Sequence, residues 1–235
     1  MIKKIFLLFT LLFISFLYSQ SFNTTENLAN NNPKRWSHGL KAGFNYATLK
    51  GSYTEIDWVD KIDGKIGIYG GAWTNFSLSE KFALQAELIG SLQGGVVKYN
   101  EIPNPFTGEM LKPEGEMRLP YIIFPILFQY KPTDKLYFET GPQLNYLLNL
   151  NLKAIVNGEE ITDPEAANLI TNRLENVKDF DFGWNVGVGY EFFDDWMVNL
   201  RYTHGMNSID NREINRRELK NRVVALGVLY KVKIK

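Results

Sequence analysis

Residues 180–192 read F-D-F-G-W-N-V-G-V-G-Y-E-F. Phe180, Phe182, Trp184, Val186, Val188, Tyr190 and Phe192 share one parity, and Asp181, Gly183, Asn185, Gly187, Gly189 and Glu191 share the other. Strict alternation specifies a β-strand with one apolar and one polar face. The apolar face is nearly all aromatic or branched, and the polar face is small. The run exceeds the usual ~5–6 residues of a soluble strand. It satisfies the roughly 9–11 residues that a transmembrane β-strand needs.

The same rhythm recurs along the chain. Strands are expected near residues 39–49, 65–76, 82–97, 119–130, 136–150, 180–192, 196–206 and 222–232. Leu40, Ala42, Phe44 and Tyr46 form one apolar set, and Leu136, Phe138, Leu144, Tyr146 and Leu148 another. The 119–130 strand is apolar on both faces, with Ile122, Phe124, Ile126, Phe128 and Tyr130 taken as its outward set. Connections at 77–80, 131–134 and 193–195 are tight and rich in Ser, Pro and Asp. Those at 50–64, 98–118, 152–179 and 207–221 are long. Short turns on one side and long loops on the other fit an eight-stranded antiparallel transmembrane β-barrel. Short turns and both termini are then expected in the periplasm, with long loops outside. Aromatics near the short turns, Phe76, Phe82, Tyr130, Tyr137, Phe192, Trp196 and Tyr230, suggest an interfacial girdle.

A soluble lipocalin-like barrel also alternates. Its outer face, however, carries many Lys and Glu, whereas the polar parities here are mostly Gly, Asn, Gln and Ser. The apolar parities also hold more rings than a narrow interior accommodates.

The beginning of the chain agrees with export. Lys3 and Lys4 precede an apolar run at 5–17, followed by Ser19 and Gln20. This is the pattern of a signal peptide over residues 1–19. Residues 20–37 are polar and Asn-rich, and read as a flexible periplasmic tail before a barrel domain at 38–235. There is no cysteine, so disulfides, thiolate chemistry and a lipidated N-terminal Cys are excluded. Formal net charge is zero, which argues against nucleic acid as a partner.

Several segments resemble the PorT-like outer-membrane β-barrel family of Bacteroidetes, often labelled porin family. They are G-L-K-A-G-F-N-Y-A-T-L-K-G at 39–51, L-P-Y-I-I-F-P-I-L-F-Q-Y-K-P at 119–132 and L-Y-F-E-T-G-P-Q-L-N-Y-L-L at 136–148. D-F-G-W-N-V-G-V-G-Y-E at 181–191, N-L-R-Y-T-H-G-M-N-S-I at 199–209 and L-K-N-R-V-V-A-L-G-V at 219–228 complete the set. The resemblance implies a barrel in the outer membrane. A secretion-accessory role attaches to some members, but no residue motif here transfers it. His204 and the terminal K-V-K-I-K depart from the family's habits.

An eight-stranded barrel has an interior just wide enough for side chains. Glu87, Glu139, Asp181 and Arg201 lie on the inward parity as a structural ion network of the lumen, with Glu87, Glu139 and Arg201 at comparable heights above their short turns. Arg201 is expected to pair with Glu139 or Glu87, because a buried unpaired charge is costly. Asp163, Pro164 and Glu165 form a helix start in the third long loop, and Ala166, Ile170, Leu174 and Val177 line one stripe. That stripe packs on the barrel's own rim or faces a partner. Arg212, Arg216, Arg217, Lys220 and Arg222 are candidate contacts for lipopolysaccharide phosphates, or part of a solvated loop.

Asp57, Asp60 and Asp63 lack the alternate-residue spacing of a calcium loop, so a solvated acidic loop is expected. His204 and Ser208 faintly resemble the residues of lipid A deacylases, yet His204 has lipid-facing parity. No cofactor or metal site is expected. Expected partners are outer-membrane lipid, lipopolysaccharide and another outer-membrane protein or secretion complex. The role expected from this set is a non-enzymatic structural or interaction barrel. A small-solute channel and a lipid-modifying hydrolase are the alternatives.

Overall fold

The computed structural model describes residues 35–51, 59–104, 107–174, 177–210 and 219–233. The elements are β1 (Trp36–Gly51), β2 (Val59–Ser77), β3 (Phe82–Tyr99), β4 (Ile102–Pro103), β5 (Met110–Leu111), β6 (Pro113–Tyr130), β7 (Leu136–Leu147), β8 (Asn151–Val156) and β9 (Glu159–Glu160). They continue with α1 (Pro164–Thr171), a 3-10 turn (Asn172–Leu174), β10 (Phe180–Phe193), β11 (Trp196–Gly205) and β12 (Leu219–Val232). No helix among the described residues is long and apolar enough to cross a membrane.

Eight long strands form a closed antiparallel ring in the order β3-β2-β1-β12-β11-β10-β7-β6. The ring closes where β3 pairs with β6, from Phe82↔Tyr130 to Lys98↔Glu114. Closure leaves the ring without open edges and sets alternate side chains inside and outside. The opening stretch becomes β10, which pairs with β7 from Phe180↔Tyr146 and with β11 from Gly183↔Gly205.

The outer face is an exposed apolar belt. Phe44, Ile66, Ile68, Ile126, Phe138, Val186, Leu200 and Leu226 are all exposed there. The inner face is buried and mainly polar, with Asn45, Gln85, Glu87, Gln129, Glu139, Asn185, Asn199 and Arg201 among its members. A soluble barrel would show the reverse. On β6, Tyr121, Ile123 and Leu127 point inward and are buried, which settles the parity that the sequence left open.

Rings mark the short-turn end of the belt. Trp36 packs on Phe76 at 4.6 Å, Phe82 on Tyr130 at 5.4 Å and Trp196 on Tyr230 at 4.8 Å. Tyr137 does not belong to this girdle. Its place on β7 turns it inward, where it is buried. The ring occupies the space left by Gly189, whose added Cβ would collide with the Tyr137 ring. Gly187 similarly leaves room for Glu139 and Gly227 for the Tyr69 hydroxyl.

The strands extend farther than hydropathy alone indicates. β1 starts at Trp36, inside the expected tail, and β6 starts at Pro113, inside the expected loop 98–118. The expected strand 136–150 ends at Leu147, and β8 then continues along β6, pairing Pro113↔Val156 to Arg118↔Asn151. β8 returns through Asn157 and Gly158, both at positive φ, to β9. Asn-Gly suits such a two-residue hairpin turn.

Together β2, β3, β6 and β8 raise a wall above one side of the ring. Hydropathy missed it because ladder pairing continues while outward side chains become charged. Lys65 pairs with Glu116, Arg118 with Glu116 at 2.6 Å, and Lys98 with Asp63 and Glu114 at 3.0 and 3.5 Å.

Candidate functional site

The lumen gathers most of the singled-out residues. Arg201 reaches inward from β11 with its side chain only 7% exposed. Its Nη1 and Nη2 donate to Glu87 Oε2 and Oε1 at 2.7 and 2.8 Å, and its Nε donates to Glu139 Oε1 at 2.7 Å. The guanidinium fork thus bridges β3 and β7 across the interior. Fork-to-carboxylate bonds are the strong, geometrically demanding kind.

Lys41 is a further member that sequence reading missed. Its Nζ lies 3.5 Å from Glu87 Oε1 and donates to Asn199 Oδ1 at 3.0 Å. Its signal was visible: Lys41 sits on the inward parity between Leu40 and Ala42. Two cations therefore meet two carboxylates. Gln85 donates to Glu87 at 2.7 Å, Asn199 to Glu139 at 3.1 Å and Gln129 to Glu139 at 3.3 Å. Nearly every acceptor of the buried carboxylates is used, as a low-dielectric site requires.

Asp181 stands apart from this network, correcting its grouping with Arg201. It accepts from Asn145 Nδ2 at 3.1 Å. It belongs to an amide-rich layer in which Asn221 donates to Gln93 at 2.6 Å and Thr203 to Asn185 at 2.7 Å. The shared inward parity of Asp181 and Arg201 set their face but not their height in the lumen.

The long-loop end of the barrel is closed by apolar packing. Leu49, Val97, Met117, Leu119, Leu147, Ile209 and Leu219 form one buried cluster. Ile209 comes from the last long loop and is fully buried. Leu174 and Val177 pack against the same cluster. Asp163 caps α1 by accepting from Glu165 N at 3.2 Å. Tyr99 Oη donates to the Ile170 carbonyl at 2.9 Å. Ala166, Ile170, Leu174 and Val177 are half-buried rather than exposed, while Leu169 is 80% exposed. The stripe once open to a partner thus serves the barrel's own mouth at Leu174 and Val177.

The remaining candidates do not converge. Arg212, Arg216 and Arg217 lie outside the described residues, as does Asp57. Arg222 Nη1 donates to the Gly205 and Asn221 carbonyls at 2.9 Å. Lys220 lies on the outward parity of β12, directly across from Lys50 on β1. Asp60 is exposed, and Asp63 is held below the usual carboxylate range by its hydrogen bond from Lys98. His204 faces outward and meets Tyr202 at 3.4 Å, while Ser208 Oγ accepts from the Asp210 and Leu219 amides. Their polar atoms thus serve local structure instead of a shared reactive centre. Among the described residues, no group of three or more His, Cys, Asp or Glu is placed to hold a metal ion.

Solved barrels of similar outline include Ail, the attachment invasion locus protein of Yersinia pestis. It shares 10% identity at a TM-score of 0.41, over 84% of this chain and 99% of its own. Neisserial surface protein A shares 10% identity at 0.45, over 83% and 97%. OprG from Pseudomonas aeruginosa shares 11% identity at 0.42, over 84% and 96%. No curated protein matches the sequence. The family described as outer membrane protein beta-barrel domain matches residues 18–211, so the chain belongs to that family and to the outer membrane.

Proposed function

We propose that the chain is a non-enzymatic outer-membrane barrel that works through its long-loop end, as an accessory subunit or envelope-stabilising barrel. The observation that carries this reading is the filled lumen. The Arg201 network spans it, and the apolar cluster around Met117 and Ile209 seals its upper end. A lumen crossed by paired charges and closed by packed side chains favours surface interaction over transport. Short turns and both termini then face the periplasm, and the wall of β2, β3, β6 and β8 stands outside the cell. Lys220 and Arg222, with Arg212, Arg216 and Arg217, are proposed to meet lipopolysaccharide phosphates at the outer rim. Kinship with the PorT-like branch is a finer proposal resting on the quoted segments.

The test is a cross-linked pull-down of the full chain from native membranes in mild detergent. A stable stoichiometric outer-membrane partner is the expected result, and its loss after deletion of 164–174 would place the contact at the loop end. Recovery of the lone barrel under every mild condition would count against the reading. Steady ion conductance through reconstituted protein in planar bilayers would replace it with a channel.

A further inference from the structure

The opposite mouth of the barrel has a built polar floor. A cavity of about 60 Å³ opens among the short turns, lined in part by Asn75, Gln85, Gln129, Lys131, Lys135 and Lys231. Asn75, Gln85 and Gln129 are each more than nine-tenths buried. Asn75 Nδ2 donates to Gln85 Oε1 at 3.2 Å and to Gln129 Oε1 at 2.7 Å. This leaves Asn75 Oδ1 buried and without a hydrogen-bond partner. A bare buried acceptor is expensive unless a donor reaches it.

The walls supply positive charge. Lys131 follows β6, Lys135 precedes β7 and Lys231 lies near the end of β12. Among the described residues, none of the three is ion-paired within 4.0 Å. Asp134 and Glu191 share the lining, and neither closes a pair. Burial holds the Lys131 ammonium below its usual value, Lys231 adds repulsion, and Glu191 offsets only part of it. Three separate segments thus converge cations without an ion pair on a cavity lined by one buried acceptor, Asn75 Oδ1, and one hydroxyl, Tyr137 Oη, that have no hydrogen-bond partner.

A ligand suited to this mouth carries negative charge for the lysines and a proton for Asn75. Hydrogen phosphate has both. Sulfate at neutral pH has the charge but no proton, and a phosphodiester has no proton on its phosphate and no compact shape. Lysine binds phosphate well as a point charge. We propose that the short-turn mouth is a binding site for inorganic hydrogen phosphate. This inference goes beyond the loop-end reading and holds whichever way the barrel is oriented.

The test is calorimetric titration of the full chain in zwitterionic micelles with inorganic phosphate near neutral pH. Saturable binding is expected, with sulfate weaker by about tenfold, the cost of one lost hydrogen bond of ~1.4 kcal/mol. The Lys131→Gln/Lys231→Gln double variant should lose at least about tenfold in affinity on the same scale. Lys81→Gln, in another turn at this end, should bind as the unaltered chain does. Glycerol phosphate, a monoester mostly without a phosphate proton at this pH, should compete more weakly than inorganic phosphate, and vesicles of phosphatidylglycerol, a diester, should not compete. No saturable heat, equal binding by the double variant, or sulfate binding as tightly as phosphate would overturn the proposal. Trp73 lines the cavity. Its fluorescence in the unaltered chain gives a second reading that needs no variant, and an unchanged signal across the phosphate titration would also overturn the site.

Discussion

Arg201 and Glu87 lie 114 residues apart in sequence, yet meet through two hydrogen bonds of 2.7 and 2.8 Å inside the barrel. The pair crosses from β11 to β3, which are not neighbours in the ring. It therefore ties opposite walls of the barrel together.

Removing only the cation should be costly. Arg201→Leu leaves Glu87 and Glu139 facing one another with Lys41 as their remaining cation. Breaking a buried pair in this way costs about 3–5 kcal/mol. A lower urea midpoint for the heat-modifiable folded form is the expected outcome. Arg201→Leu/Glu87→Gln should recover part of that loss, because one orphaned charge goes with it. An Arg201→Leu barrel as stable as the original would dissolve the network.

The inward glycines are predicted to be spaces for neighbouring side chains. Gly189→Ala puts a Cβ against the Tyr137 ring, and overpacking of this kind costs about 1–3 kcal/mol. In a Tyr137→Leu background the same substitution should cost only a fraction of that. Equal costs in both backgrounds, by unfolding in detergent, would refute the pairing of Gly189 with Tyr137.

The belt makes a depth-dependent prediction. Val186 lies mid-strand on the exposed face of β10, and Phe180 lies at its long-loop end. Val186→Arg should destabilise folding into bilayers by roughly 2–4 kcal/mol, and Phe180→Arg by about 0–1 kcal/mol. Similar penalties at both positions would contradict the assigned span.

The wall should loosen in acid. Glu116 lies above the apolar belt. Burial alone would raise its carboxyl, but the bonds from Lys65 and Arg118 outweigh it and hold the group below its ordinary value. A depressed carboxylate pKa contributes stability above the unfolded value, and that contribution is lost as pH falls through the folded value. The protection of the Gly115 and Met117 amides, as exchange relative to the intrinsic rate at each pH, should therefore fall below about pH 4, where free glutamate itself protonates. Glu116→Gln should show the lower protection already at neutral pH. A pH-independent protection factor in the unaltered chain would exclude this role.

Much of the barrel is legible in single strands because alternation is local. In β10 the parity alone assigns the rings of Phe182 and Trp184 to one face and Asn185 and Gly187 to the other. The helix start at Asp163 is also local, since a cap needs only its own turn. The wall is different. Glu114, Glu116 and Arg118 put charge on the outward parity, and Met117 and Leu119 carry the inward one, so the strand's start at Pro113 is set by pairing with β3 and β8. The Asn157-Gly158 turn was a readable hint of that hairpin.

The sequence by itself determined the alternation, the two faces of each strand and the charges sent inward. The pairing of Arg201 with Glu87 or Glu139 was also expected from it, but only the tertiary structure decided that Arg201 takes both carboxylates and that Lys41 joins them. Parity says that a side chain enters the lumen, but strand register and tilt set its height. Those depend on pairings between distant segments. They bring Lys41 and Arg201 to Glu87, hold Asp181 in the Asn145 layer, and fold Leu174 and Ile209 into the mouth. Along β10, the inward Gly187 and Gly189 are spaces occupied by Glu139 and Tyr137, because β7 lies beside them in the closed ring.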